Sequence, residues 1–334
     1  MAKQNSKELI NDLIWYDASN LTIASKGWLE ESRPFERFPK RAEALIPAKA
    51  WMQSSTAGSI SVRFESDAEQ FFVRWIDYND EWAINQALNC LPVLYVFDSV
   101  NWKWLGTAKS ADGHILKLLS DSITLHPRKY MLYLPLSRGV RKLEIGVSAG
   151  RQLFSELRDT RKPIVFYGTS IIHGPSASRP GNHLMGRLER HFNYPIINLG
   201  LSGSAEMEPE VIDLVSELDA IAFVIDCLPN MFEGDVKKNF TPAIIKLRKR
   251  HPITPIIIVE SITYQDAFLV NERYDRYTKS NQALREGYDQ LLQQGVQGLI
   301  YVSGDQLLLN GDDTIDGTHP NDLGYQHMAE VFIP

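Results

Sequence analysis

The chain reads as an α/β protein: a doubly wound parallel sheet in its C-terminal half, preceded by an antiparallel β-sandwich or jelly roll. Three observations predict this. Between residues 56 and 147, short runs carry apolar side chains at every second position, with turn signals between them. From residue 161 the alternation gives way to continuous apolar runs separated by helical patterns. All seven tryptophans lie at or before Trp104, so the two halves also differ in composition.

The N-terminal half supplies four alternating sets. Ile60, Val62 and Phe64 alternate with Ser61 and Arg63. Phe71, Val73 and Trp75 repeat the pattern, as do Tyr130, Leu132 and Leu134, and then Leu143, Ile145 and Val147. Period two places each set on one face of a sheet, as a sandwich requires. Trp75 belongs to such a face and is predicted to be core, whereas Trp102 and Trp104 flank Lys103 near a turn and read either as core or interdomain packing or as exposed rings for sugar stacking.

Five apolar runs follow: 163–166, 195–199, 220–225, 255–259 and 298–302. Runs of this kind fit parallel strands covered on both faces. Helical patterns separate them. Pro209 stands at a first helical position, with Val211, Ile212, Leu214, Val215 and Leu218 on one face. Others cover roughly 236–250, 276–294 and 321–332. The predicted domains are 1–150, a β-sandwich, and 160–334, an α/β domain, with the joint in residues 148–161.

Composition narrows the function classes. At 334 residues the chain can bury a large core without staples. A net charge of −6 argues against nucleic acid as a partner. The one dense basic run, residues 246–250, ends an amphipathic segment and complements a helix C-terminus. Cys90 and Cys227 lie far apart in unlike contexts and read as buried free thiols. No window approaches a membrane span, and the first residues lack the apolar core of a signal peptide. The expected location is cytoplasmic, although a secreted chain trimmed of its leader would read the same.

The chemistry centres on Tyr167-Gly168-Thr169-Ser170-Ile171. An apolar strand delivers a serine onto a turn at its C-terminal end, where open α/β sheets bind ligands. Such a serine becomes a nucleophile only if a base and an oxyanion hole converge on it. His319, in Asp316-Gly317-Thr318-His319-Pro320, is the candidate base, and Asp316 can turn back within the same loop to hold its Nδ1–H. Gly203, in the loop after the second strand, can offer a backbone N–H. Asn230, after the third strand, can offer a side-chain N–H. Each piece alone reads as a turn, a loop or a helix cap. Together they occupy strand ends and the last loop. The hydrolase elbow G-x-S-x-G is absent, because Ile172 stands at its second glycine.

With these residues in view, the chain resembles the SGNH (GDSL-type) hydrolases. By position the resemblance implies Ser170 as the serine, Gly203 as the glycine, Asn230 as the asparagine, and His319 with Asp316 as the remaining pair. Ser170, Gly203 and Asn230 would then form the oxyanion hole. The family's Gly-Asp-Ser-Leu appears here as Gly168-Thr169-Ser170-Ile171. That departure matches a subgroup with YGTSI, ASRPG and DCLPNM motifs and an N-terminal β-sandwich bearing a Gly-x-Asp-Leu-Tyr signature. Here the signature is degraded to Leu91-Pro92-Val93-Leu94-Tyr95. The implied catalytic fold is flavodoxin-like.

Three further residues are pocket candidates: Thr169 beside the nucleophile, His173 one helical turn on, and Arg179 in the ASRPG loop. His173 is also a rival base, expected at the pocket rim. Arg179 would either pair with Glu206 or Glu208 or bind an anionic part of a substrate. Asp305, Asp312 and Asp313 read as a solvated loop, since their spacing fits no EF-hand. No zinc spacing occurs, and neither metal nor cofactor is expected.

The predicted activity is serine esterase chemistry on a small O-acyl ester, with acetyl and carbohydrate-linked esters among the open classes. An acyltransferase using the same acyl-enzyme is the alternative. A sugar-binding protein with a silent catalytic domain is the third reading. The partner is a small molecule; oligomeric state is left open.

Overall fold

The computed structural model describes residues 10–77, 90–112, 114–118, 126–307 and 309–333. The chain divides into two compact units. The first comprises Met1–Arg37, Ser55–Thr160 and Arg179–Gly181; the second comprises Phe38–Ser54, Arg161–Ser178 and Asn182–Pro334.

The first unit is built from β1 (Leu13–Asp17), β2 (Thr22–Ala24), β3 (Ser61–Ser66), β4 (Phe72–Ile76), β5 (Val93–Phe97), β6 (Trp102–Thr107), β7 (Lys109–Asp112), β8 (Ile115–Lys117), β9 (Arg128–Tyr133), β10 (Lys142–Ser148) and β11 (Leu153–Ser155). One antiparallel sheet has the order β1-β10-β4-β8-β7; the other runs β11-β3-β9-β5-β6, with β2 also pairing β3. The core holds every residue of the four alternating sets, including Trp75. Their side chains point to one face because the register is pinned strand by strand, for example Val62 opposite Leu132 and Val73 opposite Ile145. The opposite face of β5, β6 and β9 carries a second cluster of Val93, Tyr95, Trp102, Met131 and Tyr133. Trp102 is therefore buried, while Trp104 is exposed.

The second unit contains a parallel sheet of β12 (Ile164–Gly168), β13 (Ile196–Gly200), β14 (Ala222–Asp226), β15 (Ile256–Val259) and β16 (Leu299–Val302), in the order β13-β12-β14-β15-β16. These are the five apolar runs, displaced by one or two residues. The order reverses at β12, so the crevice at its C-terminal end is where a ligand belongs. The helices are α1 (Ala48–Ser54), α2 (Ser170–His173), α3 (Leu184–Phe192), α4 (Pro209–Val215), α5 (Glu233–Arg250), α6 (Asn271–Gln293) and α7 (Asp322–Phe332). Helix α1 lies early in the chain yet belongs to this unit. Within the unit, Arg41 and Glu217 form a two-pronged ion pair, one prong 3.0 Å long.

Cys90 and Cys227 are buried and are not joined in a disulfide. No helix among the described residues is long and apolar enough to cross a membrane.

Two glycines let backbone touch backbone at the crevice. A Cβ on Gly168 would meet the Asp226 carbonyl oxygen at 2.4 Å, and one on Gly200 would meet the His173 nitrogen at 2.2 Å. The obstacles are main chain and cannot swing aside. Gly200→Ala is expected to lose roughly 1–3 kcal/mol or more of stability in urea denaturation, as overpacking does. A loss within error of zero would show that α2 and β13 are not held in this contact.

Candidate active site

Ser170 is the first residue of α2, a single helical turn. Thr169 caps it, its hydroxyl accepting from the Ile171 N–H at 3.4 Å, and Gly174 closes it in the left-handed region at φ 91°. The turn is too short to be stable alone, so it is tied to its neighbours. The Asn198 side chain on β13 donates to the Ile172 carbonyl at 2.8 Å and accepts from the Gly200 N–H at 2.8 Å. The Thr169 N–H donates to the Asp226 carbonyl at 3.1 Å.

Ser170 Oγ lies 2.8 Å from His319 Nε2. His319 Nδ1 lies 2.7 Å from Asp316 Oδ2. The other Asp316 oxygen accepts from the backbone N–H groups of Thr318, at 3.0 Å, and His319, at 2.8 Å. Partial burial pushes the Asp316 carboxyl up, but these backbone bonds and the imidazole outweigh it, leaving the group below the usual carboxylate range. Asp316 is thus a carboxylate, acceptor only, which fixes the proton on Nδ1 and turns the Nε2 lone pair towards the serine hydroxyl. The fold brings Ser170 and His319 together from 149 positions apart.

Asn230 ends a short 3₁₀ turn, Leu228–Asn230, after β14. Its Nδ2 is buried and has no hydrogen-bond partner. An orphaned buried donor carries a desolvation penalty of about 1–3 kcal/mol. Gly203 sits at φ 65°, in a loop where Ala205 and Met207 are also left-handed, at φ 67° and 57°. Glu208 holds that loop: its carboxylate accepts from the Glu206 N–H at 2.8 Å and from Tyr167 Oη at 2.7 Å.

The described residues of the second unit also form a cleft of about 950 Å³ with His319, Asp316 and Thr318 in its wall. Thr169 and His173 do not line it. Both are buried: Thr169 is spent on its cap, and His173 Nδ1 lies 2.7 Å from Ser202 Oγ, beneath the Gly203 loop rather than at a rim. Arg179 does not pair with Glu206 or Glu208. It groups with the first unit, where its guanidinium donates to Tyr95 Oη at 2.5 Å and lies over the Tyr95 and Trp104 rings. The tyrosine of the degraded signature thus meets the arginine of ASRPG, and the cation is occupied by an aromatic pair.

In the acidic loop Asp305 and Asp312 are exposed, as a solvated loop requires, but Asp313 is not. Asp313 is fully buried and accepts from the Asn310 N–H at 2.8 Å, with His327 Nδ1 at 3.0 Å. It braces the stretch that leads into Asp316 and His319. No group of three metal-ligating side chains occurs among the described residues.

Residues 161–334 match the GDSL-like lipase/acylhydrolase family, and residues 13–153 match the N-terminal domain of SGNH-type esterases. The chain belongs to the GDSL-like lipase/acylhydrolase family. It is accordingly a serine hydrolase of ester bonds. Among solved structures, a protein from Bacteroides ovatus ATCC 8483 described as a GDSL-like lipase aligns over 96% of both chains, with 28% identity and a TM-score of 0.88. A salicylyl-acyltransferase from a tetracycline biosynthetic pathway aligns over 96% of both chains at 18% identity, TM-score 0.74. An acetyl xylan esterase from the rumen bacterium Butyrivibrio proteoclasticus aligns over 96% of both chains at 12% identity, TM-score 0.56. The last two show a shared fold. No curated protein matches the chain.

Within this family member, sequence reasoning missed the residues that hold the loops. Helix α6 presents two arginines three positions apart. Arg273 donates to Asp266 Oδ1 at 2.7 Å, Thr318 Oγ1 at 2.8 Å and the Gly317 carbonyl at 3.4 Å, so it grips the His319 loop. Arg276 donates to the carbonyls of Met231 and, at 3.3 Å, Pro229, so it grips the Asn230 loop. Ser280 adds a 2.9 Å bond to the Met231 carbonyl. Nothing in the sequence separates these arginines from ordinary charges on a helix face.

Two outcomes are expected. Arg276→Leu should lower kcat roughly tenfold with KM little changed, less than the cost of losing an oxyanion donor outright. Arg276→Lys should not restore it, because two carbonyls on either side of Asn230 need a fork. A variant with lowered Tm and unchanged kcat would reduce Arg276 to a structural role. Asp226 is buried at the end of β14, and burial pushes its carboxyl up to about 7. The folded state therefore keeps a proton that the unfolded chain has released, so stability should fall as pH rises from about 4 to about 7 and then level off. Asp226→Asn should flatten that slope in urea melts and exceed the wild type at pH 8 by up to about 4 kcal/mol. A wild-type profile that rises over the same interval would contradict the buried, protonated assignment.

Proposed function

We propose that the chain cleaves O-acyl esters through an acyl-enzyme on Ser170. The observation that carries this reading is the unbroken chain Ser170 Oγ–His319 Nε2–Asp316, together with a buried Asn230 donor that has no partner. His319 takes the hydroxyl proton as Ser170 Oγ attacks the ester carbonyl. The carbonyl oxygen becomes an oxyanion, for which the Ser170 and Gly203 N–H groups and Asn230 Nδ2 are the donors. The tetrahedral species collapses, the C–O bond to the alcohol breaks, and His319 returns its proton to the departing oxygen. Water then repeats the cycle: His319 removes its proton, the acyl carbon accepts hydroxide, and Ser170 leaves as the alcohol. Asp316 keeps the imidazole oriented and offsets its charge.

This chemistry requires no metal or cofactor. Acylated sugars, suggested by the likenesses in fold to carbohydrate esterases, are to be compared with esters of apolar alcohols, and the likeness in fold to an acyltransferase keeps an acceptor alcohol in view. A cleft of about 950 Å³ beside His319 has room for such an acceptor in the place where deacylating water would come. A silent catalytic domain fits poorly with a triad at hydrogen-bonding distances.

Ser170→Ala should fold normally and lose nearly all turnover of phenyl acetate. Asn230→Ala should lose roughly 100- to 1000-fold in kcat. Near wild-type hydrolysis by Ser170→Ala would remove the assignment. Partition of the acyl group between water and added alcohols, read as ester against acid product, separates hydrolase from transferase.

A further inference from the structure

The cleft next to His319 is larger than an acetyl group needs, and its walls are of an unexpected kind. Pro229, Phe232, Tyr264 and Val270 face it, with Arg273 and Arg276 between them. The cations are already spent. Arg273 is bound to Asp266 and to the His319 loop, and Arg276 to carbonyls of the Asn230 loop. Each guanidinium also lies against a ring: Arg276 is 3.6 Å from the Phe232 centroid, and Arg273 is 4.4 Å from that of Tyr264. Lys279, also in the wall, is paired with Asp275 at 2.8 Å. Of the carboxylates in the wall, Asp266 and Asp275 are held by these cations and Glu233 by Lys237 at 2.6 Å, while Glu272 stands there with the flat aromatic and apolar faces that a ligand would meet.

Phe232 is 64% exposed and Val270 41%; the residues leading into Val270, Phe268 and Leu269, are 81% and 77% exposed. Single exposed apolar residues are ordinary, but a group of them around one cleft marks a binding surface.

The cleft's place in the site says which part of an ester it meets. His319 must hand its proton to the departing alcohol oxygen, so the alcohol lies on the imidazole's side. His319, Asp316 and Thr318 line the cleft, whereas Ser170 and Gly203 do not. We infer that the cleft holds the alcohol portion of the ester, and that this alcohol is broad and apolar, of aryl-methyl size, packed against Phe232 and the Phe268-Leu269-Val270 rim. The inference rests on the acyl-enzyme reading and adds the leaving-group class to it.

The test compares esters with a common acyl group and alcohols of similar acidity. The full chain is assayed on 2-naphthylmethyl acetate and on ethyl acetate, and the ratio of kcat/KM values is read. The wild type should favour the naphthylmethyl ester by roughly tenfold or more, as burial of one aromatic group allows. Phe232→Ala should collapse most of that ratio. Because Phe232 caps α5 next to Asn230, the exposed double variant Phe268→Ser/Leu269→Ser provides a second arm, and it should lower the ratio by roughly threefold. A ratio unmoved in both variants, or acetylated xylan turned over in preference to the naphthylmethyl ester, overturns the inference alone. Absence of Ser170-dependent turnover on every ester overturns the reaction itself and this inference with it.

Discussion

The site depends on how closely three strand ends approach a helix of one turn. Residues 170–173 have no stability of their own. They are held because Gly168 and Gly200 lack side chains where the Asp226 carbonyl and the His173 nitrogen come within van der Waals contact, and because Asn198 binds both the Ile172 carbonyl and the Gly200 N–H. A serine on a long helix could shift with that helix. A serine on this turn is fixed by the parallel sheet, and its position is as rigid as the sheet's register.

The other half of the site is held from a different direction. The His319 loop, closed by a single bridge between Thr314 and Pro320, and the Asn230 loop, a short 3₁₀ turn, leave the sheet separately and share no strand that would align them. Helix α6 aligns them by placing Arg273 on one and Arg276 on the other. Glu208 does the corresponding work for the Gly203 loop, where three left-handed residues must be kept in place. His319, Asn230, Gly203 and Ser170 are thus each anchored to a rigid element, as preorganised electrostatics would require of the proposed reaction.

Much of this was legible in the residues. The alternating sets of the sandwich all reach its core, because period two leaves little freedom once one face is buried. The five apolar runs all became parallel strands, since only a strand covered on both faces tolerates such continuity. That Ser170, Asp316 and His319 meet was readable because the serine's turn and the His319 loop both fall at the C-terminal end of the sheet. The misses have physical reasons. Thr169 and His173 were placed at the pocket by proximity to Ser170, but one turn of helix carries His173 under the neighbouring loop. Arg179 was read on charge alone, as pairing with Glu206 or Glu208 or binding an anionic part of a substrate, whereas its planar fork also suits the Tyr95 and Trp104 rings. The supporting arginines and Asn198 act through backbone carbonyls and amides, which leave no pattern in side-chain sequence. The grouping of residues 38–54 with the second unit is likewise a long-range contact that periodicity does not carry.

The central claim is that one serine, activated by His319, carries the acyl group. Labelling with a fluorophosphonate followed by peptide mapping addresses it directly, because the adduct is stable and its position can be read. The account predicts stoichiometric modification of Ser170, and loss of labelling in His319→Ala with the fold intact. Labelling at another residue, or undiminished labelling in Ser170→Ala, would contradict it.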